Sequence, residues 1–272
     1  MLIAQISDLH IRIPDPQRPV AVETTEFLPP LLAAVNRVQP RPDCVLATGD
    51  LTDAGRPGEY AHLRAALQAL DMPCYLIPGN HDDRANLAAA FPDHDYLRQG
   101  LRQTLHSNPP FIQYTLEQYP IRIIALDTVV PQKPHGELCA KRLDWLSDRL
   151  AEQPERPTVI IMHHPPFTTG LQSMDAMGLL TGKAELEAIV RRHPNVERVL
   201  CGHLHRTIFR RFGGTIASTC PASAHQIALD LVSEKRLAVT LEPPGYHVHA
   251  WLDGHLVTHH AVVGDYPATP VL

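Results

Sequence analysis

Asp43-Cys44-Val45-Leu46-Ala47-Thr48-Gly49-Asp50 is a short apolar run, then a glycine, then an acid where a strand should stop. A carboxylate on a strand end is a presented carboxylate, although Asp after Gly is also ordinary turn chemistry. The pattern recurs on both sides. Leu2 to Ser7 reads as a first strand and stops at Asp8-Leu9-His10, and Cys74 to Pro78 stops at Gly79-Asn80-His81-Asp82-Asp83. Thr158 to Met162 ends on His163-His164-Pro165-Pro166, and Val196 to Cys201 on Gly202-His203-Leu204-His205.

Helical spacing of apolar residues separates these runs. It predicts helices over Phe27 to Val38, Gly58 to Leu70, from Arg84 to Phe91, over Leu138 to Leu150 and over Lys183 to Arg192. Phe111 to Thr115 and Ile121 to Leu126 read as neighbouring strands, the second ending at Asp127. A proline-rich loop covers Ile13 to Val20, and Pro92 to Pro110 has no readable order. Strands and helices alternating through short turns argue for a layered α/β fold with buried strands, in which ligands bind beyond the strand carboxyl ends.

Past His205 the character shifts to β, with strands over Thr215 to Thr219, His225 to Leu231 and Arg236 to Leu241. Tyr246 to Leu252 joins His255 to Val262 through Asp253-Gly254, a two-residue hairpin signal that sets Leu252 opposite His255 and Ala250 opposite Val257. Leu252, Ala250, Val248 and Val257 should then share one apolar face. The organisation expected is a core over residues 1–205 carrying all metal ligands, and a segment 206–272 of second-sheet strands and hairpin serving as cap or oligomerisation element.

The 272 residues are 44% hydrophobic and 19% charged, enough for a large globular core. No apolar run approaches the roughly 18 residues of a membrane span, and the N-terminus lacks the basic head of a signal peptide, so a cytoplasmic location without membrane partners is expected. A net charge of −5 with 24 Lys plus Arg and no basic run excludes a broad nucleic-acid surface. The five cysteines read as reduced thiols, since none has a partner at metal-ligand spacing. Seventeen histidines are the compositional anomaly.

Asp-x-His at the first strand end places two side chains on one side of an extended segment, and Gly-His-x-His does the same at the last. Carboxylate and imidazole donors without thiolate suit iron, manganese, zinc or cobalt. Seven candidates, Asp8, His10, Asp50, Asn80, His163, His203 and His205, exceed one tetrahedral site and suit two ions sharing a carboxylate. Two ions roughly 3.5–4 Å apart can activate a water and clamp a phosphoryl group.

Asp8-Leu9-His10, Gly49-Asp50, Gly79-Asn80-His81-Asp82, His163-His164-Pro165-Pro166 and Gly202-His203-Leu204-His205 together resemble the signature of the calcineurin-like metallophosphoesterases, from residue 8 to 205. Arg41-Pro42-Asp43, Gly55-Arg56-Pro57-Gly58-Glu59-Tyr60, Leu76 to Asp83 and the Met174-Asp175 loop resemble the branch of bacterial class III cyclic-nucleotide phosphodiesterases and glycerophosphodiesterases. The resemblance implies a four-layer αββα sandwich with a C-terminal β extension. It gives Asp8, His10, Asp50 and His205 to one ion, Asp50, Asn80, His163 and His203 to the other, and His81 to the substrate as a catalytic group. It implies a hydrolase for small phosphodiesters, cyclic nucleotides such as 3′,5′-cAMP or glycerophosphodiesters, with iron or manganese, in a homo-oligomer that is a dimer or larger.

The alternatives are a broad phosphomonoesterase and phosphodiesterase of the same fold, and a non-catalytic metal-binding scaffold, against which the retained His81 speaks. A metal-dependent amidohydrolase would place His-x-His on the first strand. His164 is expected to orient a loop or support a ligand, and Asp127 to be a turn acid outside the cluster. His247, His249, His255, His259 and His260 are expected at surface or strand-pairing positions.

Overall fold

The computed structural model describes residues 1–14, 22–99, 110–232, 237–267 and 269. Most of the proline-rich loop, much of 92–110 and Arg236 lie outside these. In chain order the first half comprises β1 (Leu2–Ile6), α1 (Leu28–Asn36), β2 (Cys44–Thr48), α2 (Pro57–Leu67), β3 (Cys74–Ile77), α3 (Arg84–Ala90), β4 (Tyr114–Leu116) and β5 (Arg122–Leu126). Then follow β6 (Gly136–Glu137), α4 (Ala140–Glu152), β7 (Thr158–Met162), α5 (Gln172–Asp175), β8 (Leu179–Thr181), α6 (Lys183–Arg192) and β9 (Val196–Cys201). The chain closes with β10 (Ile208–Phe212), β11 (Thr215–Thr219), β12 (Gln226–Ile227), β13 (Val239–Thr240), β14 (Gly245–Leu252) and β15 (His255–Val262).

Two sheets carry the architecture. One has the order β15-β14-β1-β2-β3, the other β10-β11-β9-β7-β5-β4. Their centres are parallel, as crossover helices require, and antiparallel strands finish every edge except that of β3, which runs parallel to β2. Side-chain alternation along the second sheet then builds two layers at once. Ile123, Ala125, Val159, Ile161 and Leu200 join the core formed by Ile3, Ile6, Val45 and Leu46 of the first sheet. Their neighbours Ile124, Leu126, Ile160, Met162 and Val199 pack against Leu143, Leu146 and Leu150 of α4 and Leu186, Ile189 and Val190 of α6. On the first sheet, Leu28, Leu31, Leu32 and Val35 of α1, with Tyr60 and Leu63 of α2, are buried against the inner core. Each such side chain, fully buried, contributes roughly 1.5–3 kcal/mol. The result is the expected αββα sandwich.

The segment after residue 205 is woven into both sheets: β10 and β11 extend the second beyond β9, and β14 pairs antiparallel with β1. The hairpin register matches the expectation, Leu252 opposite His255 and Ala250 opposite Val257, with Asp253 and Gly254 at φ 50° and 78°. Its apolar face is divided. Val248 and Ala250 are buried, whereas Leu252, beside the turn, and Val257, on the edge strand, are 51% and 41% exposed.

His247 and His249 sit at strand-pairing positions, opposite Gln5 and Ile3 of β1, but the surface alternative is corrected: both are fully buried. The second sheet covers their side of β14, because Arg198 of β9 donates to Leu256 O and to Thr258 Oγ1. His249 meets Thr258 Oγ1 at 2.9 Å and Gln5 Oε1 at 3.1 Å, and Gln5 donates onward to Cys201 O. A strand buried on both faces does not follow the polar-out alternation from which surface positions were read.

Candidate metal centre

Five of the expected site residues share a backbone feature. Asp8, His10, Asp50, His203 and His205 have φ of 54°, 45°, 47°, 72° and 48°. These are left-handed conformations, uncommon for residues other than glycine, and they cluster where function over-determines the chain. Asp8-Leu9-His10 and His203-Leu204-His205 are therefore not extended, contrary to expectation. Two left-handed residues flank each leucine, and the leucines are buried at 0% and 1% exposure while the polar side chains converge. Hydrogen bonds from Asp8 N to Gly49 O (3.0 Å) and from His10 N to Asp50 O (2.9 Å) fix the first turn against the end of β2.

The convergence is tight. Asp50 Oδ1 lies 3.3 Å from His163 Nε2 and its Oδ2 lies 3.7 Å from His10 Nε2. His205 Nε2 is 3.4 Å from Asp8 Oδ1 and 3.2 Å from His10 Nε2. Asn80 Oδ1 is 3.2 Å from His163 Nε2. Among the described residues, Asp8 with His10 and His205, Asp8 with Asp50 and His163, and His163 with His164 and His203 each offer ligand atoms within 4.8 Å of one another. Glycines make this approach possible: a Cβ on Gly79 would collide with Asp50 N and Oδ1, and one on Gly202 would lie 2.6 Å from Thr48 O.

Tautomers follow from the outer partners. His163 Nδ1 donates to Thr48 O (2.8 Å) and His205 Nδ1 to His225 O (3.1 Å). Carbonyls only accept, so both Nδ1 atoms carry protons and Nε2 is the atom each ring turns inward, the usual arrangement of metal-ligating imidazoles. Burial opposes a second proton on either ring, but Asp50 raises His163 to about 9 and Asp8 raises His205 above its ordinary value, and a metal would take that proton's place. His203 Nε2 is buried without any hydrogen-bond partner. Burial pushes the Asp8 carboxyl up, but the charge and hydrogen bond of His205 and the charge of His163 prevail and bring it to about 2. Asp50 is likewise held well below the usual range by His163 and His81 against its own burial. Burial pushes His203 down to about 3, helped by His163. Ionised carboxylates, inward-facing Nε2 atoms and one orphaned buried nitrogen form a donor set that fits divalent or trivalent cations.

Supporting residues hold this set. Asp82 accepts from Leu51 N (2.9 Å), Thr52 N (3.1 Å), Gly79 N (2.9 Å) and the Tyr60 hydroxyl (2.9 Å), tying the end of β2 to the end of β3. Glu59 Oε2 accepts from Ala54 N and Arg56 N, which fixes the start of α2 and with it Tyr60. The ring nitrogens of His164 are engaged by Thr128 Oγ1 (2.8 Å) and Pro134 O (3.2 Å), while its ring packs on His203. Asp127 lies outside the cluster and caps its own turn by accepting from Val129 N (2.9 Å), as expected, but it is also fully buried in a bidentate pair with Arg84, at 2.6 and 2.7 Å, which was not. The apolar run before it conceals this, because its partner lies 43 residues away.

His81 donates from Nδ1 to Asp53 O (2.8 Å), which leaves Nε2 free, and its ring stands edge-on to His10 with centroids 4.7 Å apart. His225 escaped the sequence reading, since it has no ligand spacing. Its ring lies 4.8 Å from that of His205 and 6.0 Å from that of His10. It lines a cavity of about 300 Å³ over the cluster, to which Met174, Met177, Ile227, Leu237 and Val239 contribute apolar lining.

A two-sheet α/β sandwich that gathers carboxylates, imidazoles and a carboxamide at its strand ends defines a metal-binding hydrolase. The chain belongs to the calcineurin-like phosphoesterase family, whose profile matches residues 1–207. It is 32% identical over 267 residues to a probable glycerophosphodiester phosphodiesterase of Arcobacter nitrofigilis, covering 98% of this chain and 94% of that one. It is 30% identical over 224 residues to the 3′,5′-cyclic adenosine monophosphate phosphodiesterase of Escherichia coli K12, covering 82% and 76%. A dimetal phosphatase from Danio rerio shares the fold, with a TM-score of 0.70, 13% identity, and 97% and 96% of the two chains covered. Among the described residues no helix is long and apolar enough to cross a membrane.

Proposed function

We propose that the protein hydrolyses small phosphodiesters at a two-ion centre, with Asp8, His10, Asp50 and His205 holding one ion and Asp50, Asn80, His163 and His203 the other. The observation that carries this reading is Asp50, whose two oxygens face two different imidazoles, His163 and His10. Iron or manganese suits this donor set, with zinc or cobalt as substitutes. When bound, such a pair lowers the pKa of a water and neutralises charge on the phosphoryl oxygens.

The chain's own residues supply orientation and protons. Asn80, a neutral donor group, limits the negative charge of the site, so that an anionic diester is still attracted. His81 presents Nε2 to the substrate because Nδ1 is committed to Asp53 O. From there it can donate to a phosphoryl oxygen or to the departing alkoxide, a task suited to imidazole. The buried leucines of the two left-handed turns exclude water from beneath the cluster.

The relatives' names support diesters, both glycerophosphodiesters and cyclic nucleotides, as the substrate class. A cytoplasmic location agrees with five free thiols, all buried or half-buried. We place the protein in a homo-oligomer, with 206–272 contributing to cap or interface. Manganese-loaded protein should hydrolyse bis(p-nitrophenyl) phosphate well above its rate on p-nitrophenyl phosphate. No turnover of the diester would sink the reading, and faster monoester turnover would favour a broad phosphomonoesterase.

A further inference from the structure

Two stretches of chain bring lining to the cavity over the cluster. Pro134 comes from the stretch between β5 and α4, Met174 and Met177 from the one between β7 and α6. Strands β6 and β8 join these stretches: they pair in parallel, Gly136 N donates to Gly178 O at 3.0 Å, and Leu138 N donates to Thr181 O at 2.9 Å. Pro165 O, beside His164 in the chain, accepts from Leu179 N at 3.2 Å. One small platform therefore carries lining residues from both stretches.

His164 is the side chain on which the platform is keyed. It is fully buried. Its Nε2 donates to Pro134 O at 3.2 Å, since a carbonyl only accepts, and its Nδ1 accepts from the Thr128 hydroxyl at 2.8 Å. Gly136 lies so close that a Cβ there would collide with Cβ, Cγ and Nδ1 of His164. Thr128 is tied to the platform in turn, its carbonyl accepting from Glu137 N at 2.9 Å, and Val129 forms a bridge with Gly136. The same ring has its centroid 4.8 Å from those of both His163 and His203. With both nitrogens engaged, His164 keeps no lone pair for an ion. Its contacts run instead from two proposed ligands of one ion to the lining of the cavity.

The spacing between the cavity lining and the metal ligands decides whether an ester arm can fill the cavity while its phosphoryl group reaches the ions. A misplacement of about 1 Å in such an arrangement is costly. Resting on the diesterase reading, we infer that His164 is a positioning residue of that reaction. It acts through Pro134 and the β6–β8 platform, setting the lining against His163 and His203, and it binds neither ion nor substrate.

The test compares His164→Gln with His164→Asn in the manganese-loaded enzyme, using bis(p-nitrophenyl) phosphate. Both variants remove the ring. Gln carries an amide N–H to where Nε2 stands and still reaches Pro134 O, whereas Asn, one methylene shorter, engages Thr128 alone. Asn should raise KM by about 3–10-fold, the loss of one hydrogen bond, with kcat and both ions retained, while Gln stays within about 2-fold of wild type. Hydrogen exchange over residues 133–138 should be faster in the Asn variant than in the Gln variant. Gly136→Ala, which presses on the ring from the platform, should raise KM and exchange in the same direction, and it carries the test if His164→Asn does not fold. Equal KM in the two His164 variants, an unchanged KM in Gly136→Ala, or loss of an ion from either His164 variant overturns the positioning role. Absence of diester turnover in wild type overturns the diesterase reading instead, and the exchange comparison then decides the link to Pro134 by itself.

Discussion

His163 Nε2 stands 3.3 Å from Asp50 Oδ1, joining the end of β7 in one sheet to the end of β2 in the other. The contact needs Gly49 beneath it, since a Cβ there would collide with Nδ1 and Cγ of the His163 ring. Two sheets thus meet at their carboxyl ends through a carboxylate and an imidazole, and the rest of the cluster is arranged around that contact.

His81 holds its ring through Nδ1 on Asp53 O, and its bond to the cluster, from the backbone N to Asp50 Oδ1 (2.9 Å), is one that a side-chain substitution leaves in place. His81→Ala should therefore keep the bound metal and lower kcat by about 10²–10⁴-fold on a diester with a poor leaving group. The loss should shrink with p-nitrophenolate, which departs without a proton. Metal analysis and paired kcat values check this, and near-normal turnover of the poor leaving group would move the proton donor elsewhere.

Arg84 and Asp127 are both buried, with side-chain exposures of 5% and 0%. Arg84→Ala leaves an uncompensated buried carboxylate and should cost roughly 3–5 kcal/mol in urea unfolding. Arg84→Met with Asp127→Leu should recover part of that loss, since the pair's desolvation disappears with it. A cost below about 1 kcal/mol would show that Asp127 is relieved in another way.

His247 is pushed down to about 3 by burial and by the charges of His260 and Arg198, and burial also holds His249 well below its ordinary value. In the unfolded chain each titrates near 6.5. The unfolded state thus binds more protons below that pH. The stabilisation is present in full above about pH 6.5 and is lost as pH falls towards 3, by up to roughly 1.4 kcal/mol per pH unit and group. Urea midpoints from pH 7.5 to 5 should fall in wild type and fall less steeply in His247→Gln. Equal slopes would mean that His247 is protonated in the folded protein.

Much of the site was legible because its chemistry sits in short fixed spacings: Asp8-x-His10, Gly49-Asp50, Gly79-Asn80-His81 and Gly202-His203-x-His205 each end an apolar run. The sandwich was legible in the same way, from alternating helical and strand periodicities, and the hairpin register followed from Asp253-Gly254. What escaped depends on partners far apart in sequence. The left-handed turns at Asp8 and His10 are tied by backbone bonds to Gly49 O and Asp50 O, and His203 N donates to the Asp8 carboxylate, long-range links that periodicity does not encode. His225 enters through the rim of the second sheet, Asp127 through Arg84, and His249 through Gln5, 244 residues away. Strand β10 was missed because Phe209, Arg210 and Arg211 are all exposed, on the edge of the sheet, and so show no alternation.

The central claim is that Asp50 is shared by two ions. Metal analysis of purified Asp50→Ala, reconstituted beside wild type in manganese and gel-filtered, tests it most directly. The account predicts about two ions per chain in wild type and loss of both in the variant, with the chain still folded by circular dichroism. Retention of two ions by Asp50→Ala would contradict it.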